Sequence, residues 1–343
     1  MIKISLTEND EMEEWDRYVN AHPDSCVFQT SAWRRVVEST YGHKPFYLMA
    51  KHGSEVCGVL PLFLINSRLF ARVLATSPYG SSGGICADDE EVAHLLAEKA
   101  IQLTREYKVS YLELKSRGIT EYDGLQRHTD YVNYYLPIDK PEIMWRSRLK
   151  NRTRETVRQA EKFGLTKEQG HHLLDVFCEI MATSMRRLGS PFHSKSLFHN
   201  ILVIFGSYAN ILVVKYKDIP ISAVIFIQHR QEVVPLWQGS LEDYFHMRPN
   251  NFLYWEMFKD AYSSGATSLD FSRSLVGSGP AKFKESWGAV AKPLYYEYFL
   301  NGQKSIPRIH QENPRYQIPR LIWKHMPLSL TKWLGPHLIK NIP

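Results

Sequence analysis

A chain of 343 residues is long for one hydrophobic core, so two domains of roughly 150 residues each are expected. With 44% hydrophobic and 23% charged residues it has the composition of an ordinary soluble protein, and no segment reaches the roughly 18 apolar residues of a membrane-spanning helix. The net charge of +6 is concentrated at the end of the chain, where Arg308, Arg315, Arg320, Lys324, Lys332 and Lys340 stand against Glu312 alone.

The opening "MIKISLTENDEMEEW" lacks an apolar signal core, so an uncleaved, cytoplasmic protein is expected. Ile2 to Leu6 predicts a strand, Glu8 to Asn20 a helix, and Ser31 to Thr40 a second helix with Ser31 as its N-cap. "PFYLMAKHG" and "EVCGVLPLFLI" predict a hairpin turning at Gly53-Ser54. "RVLATSP" predicts a third strand, followed by a glycine-serine loop from Ser77 to Gly84. Asp89 to Tyr107 carries Val92, Leu95, Leu96, Ala100 and Leu103 on one helical face. "SYLELK" and "YVNYYLPI" close this half as strands.

The second half repeats the order. A basic helix is expected from Glu142 to Phe163, ending at Gly164, then helices over Leu173 to Leu188 and "SKSLFHNILVIFG". "ANILVVKYKD" and "IPISAVIFIQH" predict a hairpin, "EVVPLWQG" a strand, Asn250 to Ser264 a helix, and "TSLDFS" and "PLYYEYFL" the last two strands. With no strong residue-level repeat, this order of elements suggests two copies of one α/β unit, the alternative being two α+β halves that match only loosely. The expected division is 1–140, 141–303 and a basic amphipathic tail over 304–343, with the join near Asp139-Lys140-Pro141.

The four cysteines, Cys26, Cys57, Cys86 and Cys178, show no metal-ligand spacing, so neither a metal site nor a catalytic thiol is expected. Small, polar and cationic residues instead crowd the stretch "DFSRSLVGSGPAKFKESWG" from Asp270 to Gly288. Its elements are Asp270-Phe271-Ser272-Arg273-Ser274, Gly277-Ser278-Gly279 and Phe283-Lys284-Glu285-Ser286-Trp287-Gly288, preceded by Pro249-Asn250-Asn251-Phe252-Leu253-Tyr254-Trp255. In this order and spacing they resemble FemAB-like proteins, most closely the subfamily associated with bacterial exosortase (PEP-CTERM) exopolysaccharide loci. "FQTSAWRRVVESTYGHKPFYLMA", "GVLPLFLINSRLFARVLATSPYGSSGGI" and "YLELKSR" extend the resemblance over most of the chain.

The resemblance implies an α/β fold of tandem GNAT-like domains, each a mixed central sheet flanked by helices, and acyl or aminoacyl transfer. The implied acceptor is an amine or hydroxyl of an envelope glycan, exopolysaccharide or its lipid-linked precursor. No permanently bound cofactor is implied, and the donor is acyl-CoA, acyl carrier protein or aminoacyl-tRNA. Nucleic acid is a partner only in the last case. Two departures weaken a peptidoglycan-bridge assignment. Arg34 and Arg35, then Val36 and Val37, follow Trp33 where glycyl-adding relatives often carry a lysine, and no insertion for their long helical hairpin is present. A non-catalytic scaffold in polysaccharide assembly is the alternative from another class.

Acyl transfer needs positive charge or N–H donors where the tetrahedral oxyanion develops. The resemblance implies Lys284 beside the reacting groups, as oxyanion stabiliser or donor-phosphate contact; an ordinary solvated lysine is the alternative. Asp270 either orients the nucleophile, acts as a base, or caps the end of its strand. Arg273 binds a carboxylate or phosphate, or makes a buried ion pair. Ser272 and Ser274 offer hydroxyls, Gly277 and Gly279 a backbone approach to an anion, and Phe283, Tyr254 and Trp237 a groove wall or core. Tyr79, with Arg68 and Arg72, is the matching candidate of the first half, for a phosphorylated sugar carrier. "RSLVGSG" has one residue too many for the usual acetyl-CoA pyrophosphate loop and lies after the wrong strand, so that grip is expected to be missing or remodelled. The run "WRSRLKNRTRETVRQAEK" suits RNA phosphates, anionic lipid or a solvated helix. The tail suits either a peripheral membrane contact or a cover over the main body.

Overall fold

The computed structural model describes residues 1–67, 71–118, 121–303, 305 and 317–342. The chain is α/β and forms two compact units, one of Met1–Tyr131, Pro293–His310 and Lys340–Pro343, the other of Val132–Lys292 and Gln311–Ile339.

In the first unit, β1 (Ile2–Leu6), β2 (Lys44–His52), β3 (Glu55–Asn66) and β4 (Arg72–Thr76) run antiparallel to their neighbours. A two-residue strand, β5 (Cys86–Ala87), also pairs with β3. Beyond β4 lies β6 (Tyr111–Ser116), parallel to it, and then the end of the last strand of the chain, Val290–Leu300, antiparallel to β6 through Tyr295–Leu300. That strand pairs here although it reads in sequence as the close of the second half. Two helices, α1 (Met12–Ala21) and α2 (Ser31–Tyr41), precede the hairpin. Thr30, not Ser31, caps α2 by accepting the Trp33 N–H, because the Ser31 hydroxyl is held by the Asp16 carboxylate. After β5, α3 (Glu90–Glu106) starts on Asp89, which accepts the Val92 N–H at 2.8 Å. It buries Val92, Leu96, Ala100 and Leu103 against Leu48, Leu60, Leu62 and Leu112 of the sheet.

In the second unit the strand order is β7 (Gln126–Pro137, from Val132 on), β12 (Ser268–Leu275), β11 (Glu232–Ser240), β10 (Ile219–His229), β9 (Ala209–Tyr216) and β8 (Thr166–Gln169). One face packs against α8 (Pro249–Ser263), with Leu212, Val214 and Val224 meeting Leu253, Met257 and Phe258. The alternate residues Ile211 and Val213 are buried too and face the other layer, α6 (Leu174–Leu188) and α7 (Lys195–Phe205).

The single basic helix expected over Glu142 to Phe163 is broken. It is a short α4 (Pro141–Ile143), a π-helical turn over Met144–Arg148, and α5 (Asn151–Lys162). At the break Leu149 adopts extended backbone (φ −68°, ψ 130°) and enters the core. Thr153 of α5 then donates to the Ser286 carbonyl at 2.7 Å. Two further elements, β8 and a helix α9 (Gly279–Ser286), stand outside the element order expected from the sequence.

Candidate functional site

The two parallel strands β11 and β12 pair only at Glu232↔Ser268 and Val233↔Leu269. The local sequence explains why pairing ends there. Pro235 has no N–H to donate, and the β10 register shifts between Ile225 and Phe226, opposite Trp237 and Pro235. Ser272, on the β12 side, stands at φ +61°, a left-handed conformation that costs a non-glycine residue about 1 kcal/mol or more.

Three groups hold this kink. The buried Asp270 carboxylate accepts the Ser272 N–H at 2.7 Å and, through the same oxygen, the Asn133 side-chain N–H at 2.7 Å. The Ser272 hydroxyl reaches across to the Pro235 carbonyl at 3.2 Å. Lys284, from α9, donates its ammonium to the carbonyls of Ser272 at 2.8 Å and Arg273 at 3.0 Å. α9 itself is fixed at both ends. Ser278 caps it by accepting the Ala281 N–H, and Trp287, at its C-cap, is fully buried.

Lys284 is 8% exposed. Burial pushes its ammonium down to about 8, opposed by the charge of Asp270 and assisted by that of Arg273. Its charge lies 5.6 Å from the centre of the Tyr134 ring, whose hydroxyl donates to Glu285 at 2.7 Å. Burial and that carboxylate raise the Tyr134 phenol to about 12. The solvated-lysine alternative for Lys284 is therefore removed. Of its three N–H donors two hold the kink, which leaves one for a bound group.

The other expected residues divide clearly. Phe283, Tyr254 and Trp287 form one aromatic cluster, with Tyr254 and Phe283 5.5 Å apart and Phe271 5.0 Å from Tyr254. Ser274 is buried, and its hydroxyl has no hydrogen-bond partner among the described residues. Arg273 is exposed, and its carbonyl accepts from Lys284. Gly277 turns the chain at φ +75°, and Gly279 opens α9; both face open space. Trp237 packs apart from these, edge-on to Phe198 at 5.3 Å and to His193 at 5.2 Å.

In the first unit, Tyr79 donates to the Lys340 carbonyl at 2.9 Å and stands 2.8 Å from His43. Arg72 is exposed and donates to Asn66 at 3.0 Å. Arg68 lies outside the described residues. The Ser77–Gly84 loop uses its glycines for close packing of its own chain. A Cβ on Gly84 would lie 2.8 Å from the Ser116 hydroxyl and 2.9 Å from the Lys115 carbonyl. Arg34, at the position following Trp33, is committed to Glu38 at 3.0 Å and stacks over Tyr47.

Several participants have no signal in the sequence. Asn133 and Tyr134 sit in a run that reads only as a strand. At the end of β11, Gln238, Ser240 and Ser222 form a hydrogen-bonded network with Asn250 in the first turn of α8, with Gln238 donating to Asn250 at 2.8 Å. Spacing gives no hint that these side chains converge. Among the described residues no cluster of His, Cys, Asp and Glu is able to hold a metal ion.

Residues 146–285, which include Asp270, Ser272 and Lys284, match the family model for an acetyltransferase (GNAT) domain. By sequence, no curated protein matches the chain. Among solved structures, FemX aligns with a TM-score of 0.69 at 16% identity, covering 93% of this chain and 100% of its own. L-PGS from Bacillus licheniformis aligns with a TM-score of 0.55 at 13% identity over 98% of both chains. A tandem GNAT protein from the clavulanic acid biosynthesis pathway aligns with a TM-score of 0.56 at 8% identity, covering 87% of this chain and 98% of its own. At these identities the likeness is one of fold, and the fold is that of tandem GNAT proteins.

Proposed function

We propose that this chain, a FemAB-like protein of the GNAT fold with its acetyltransferase-type domain over residues 146–285, transfers an acyl or aminoacyl group to a cell-envelope glycan, an exopolysaccharide or its lipid-linked precursor. The observation that carries the reading is Lys284: a buried ammonium of lowered pKa, held on a strained strand kink where two parallel strands part. Burying such a charge is costly, and beyond its two bonds to the kink its ammonium has the chemistry that acyl transfer needs.

In the reaction, the acceptor amine or hydroxyl attacks the donor carbonyl, and its oxygen takes up negative charge. The remaining N–H of Lys284 offsets that charge as it develops. Collapse of the tetrahedral intermediate breaks the bond to the donor's thiol or transfer RNA oxygen. The proton lost by the acceptor balances the one the leaving group gains. Asp270 acts as a positioning residue, since its carboxylate is buried and bonded to Asn133 and to the Ser272 N–H. Phe283, next to Lys284 in sequence, packs on Tyr254 at 5.5 Å and is the proposed apolar wall for the acyl group, and the Ser274 hydroxyl, without a partner among the described residues, is the proposed polar contact. The donor is an acyl-CoA, an acyl carrier protein or an aminoacyl-tRNA.

Mass spectrometry of the surface polymer from cells with and without the gene tests this reading. An acetyl, longer acyl or amino-acid mass missing from the deletion strain is expected, and its value identifies the donor class. An identical polymer in both strains counts against an envelope substrate.

A further inference from the structure

Two helices near the end of the chain, α10 (Gln317–His325) and α11 (Leu328–Ile339), pack on α6 with an unusual choice of faces. α10 turns Trp323 inward, and Arg320 donates to the Leu188 carbonyl at 3.1 Å. α11 turns Thr331 and Gly335 inward. Gly335 approaches so closely that a Cβ would lie 2.8 Å from the Phe192 carbonyl oxygen. Several large apolar residues are instead exposed. Ile318, Leu321 and Ile322, at i, i+3 and i+4 on α10, are 72%, 59% and 59% exposed, and Trp333 on α11 is 64% exposed, with Leu330 one turn before it.

The charge on these helices has one sign. Between Gln317 and Ile339 the cations are Arg320, Lys324 and Lys332, with His325 and His337 beside them, and there is no aspartate or glutamate. Lys332 pairs with Glu179 of α6, while Lys324 is exposed. Exposed aliphatic residues, an outward tryptophan and the exposed Lys324, on helices that carry no acid of their own, complement the apolar boundary and anionic headgroups of a lipid bilayer. Neither helix is long and apolar enough to cross one.

We propose that the outward face of α10 and α11 docks on an anionic phospholipid surface, with Leu321, Ile322 and Trp333 entering the interface and Lys324 meeting the headgroups. The proposal rests on this face alone and stands or falls independently of the transfer chemistry at Lys284.

Vesicle flotation of the full chain tests it, using phosphatidylglycerol–phosphatidylcholine vesicles against phosphatidylcholine alone. The wild type is expected to float with the anionic vesicles and to lose most of that binding on pure phosphatidylcholine or at high salt. Ile322→Asp combined with Trp333→Ser is expected to weaken binding by about tenfold or more, the scale of one large apolar side chain returned to water. Because these side chains are exposed, the thermal midpoint should stay at the wild-type value, which separates a docking defect from misfolding. Absence of flotation for the wild type, or equal flotation of wild type and double variant, overturns the proposal. So does a concentration-dependent dimer that the double variant abolishes without any vesicle binding, which would assign the face to a second copy of the chain.

Discussion

Lys284 and His193 are both buried bases, and burial depresses both, but their consequences fall in different pH ranges. Lys284 releases its proton near pH 8 in the folded chain and near 10.5 when unfolded. Between those values the unfolded chain holds more protons, so this group's contribution to stability rises with pH across that window. Activity moves the other way, because the oxyanion needs the protonated form. The transfer rate is expected to fall as pH rises through about 8, read from a pH–rate profile. Lys284→Arg, which keeps its charge, should lose that fall at a lower overall rate. His193, beside Trp237 and Phe198, is held down to about 3 by burial. The folded chain therefore resists a proton that the unfolded chain takes up below about pH 6.5, so stability drains away on acidification from there towards pH 3. Urea titrations at several pH values should show this slope, and His193→Leu should flatten it. The sequence marks Lys284 through its motif, but gives no sign that His193 is buried, since nothing local fixes which face of its loop turns inward.

At the scale of elements, the site depends on a kink and on the helix that clamps it. Ser272→Gly relieves the left-handed backbone but gives up the hydroxyl's bond to the Pro235 carbonyl, so stability should change by less than about 1 kcal/mol. Ser272→Val puts a β-branched residue in the left-handed region and should cost about 1–2 kcal/mol in chemical denaturation, with transfer lost. Trp287, fully buried at the C-cap of α9, anchors the element that carries Lys284. Trp287→Ala should cost about 3–5 kcal/mol. Elements with a strong local signal were legible in advance: α3 from its apolar stripe, and the β2–β3 hairpin from its Gly53-Ser54 turn. The break at Leu149–Lys150 was not. No proline or glycine lies there, and the gain comes from placing Leu149 in the core and Thr153 against Ser286, contacts with residues far along the chain. α9 is the same case in reverse. Eight residues give too short a pattern to read, and what stabilises the helix is its tertiary anchor.

For the whole molecule, the repeated order of elements suggested two α/β units, and the resemblance carried by motifs over most of the chain implied the tandem GNAT fold that the solved structures share. The last strand was harder to place, since nothing in "PLYYEYFL" names β6 as its partner. Trp237 shows the same limit: it packs on Phe198 and His193, because motif spacing reports neighbours in sequence and not in space. A chain ending at Gly302 lacks α10 and α11 and uncovers part of α6. It should unfold at a lower temperature yet retain the circular-dichroism signature of its sheets. The central claim, that Lys284 serves transfer chemistry, is tested most directly by returning Lys284→Met to the deletion strain at wild-type abundance and thermal midpoint, and weighing the surface polymer. The account expects the added mass to fall by about a hundredfold or more, the loss typical of one oxyanion donor. Polymer modified to the wild-type extent by Lys284→Met would contradict it.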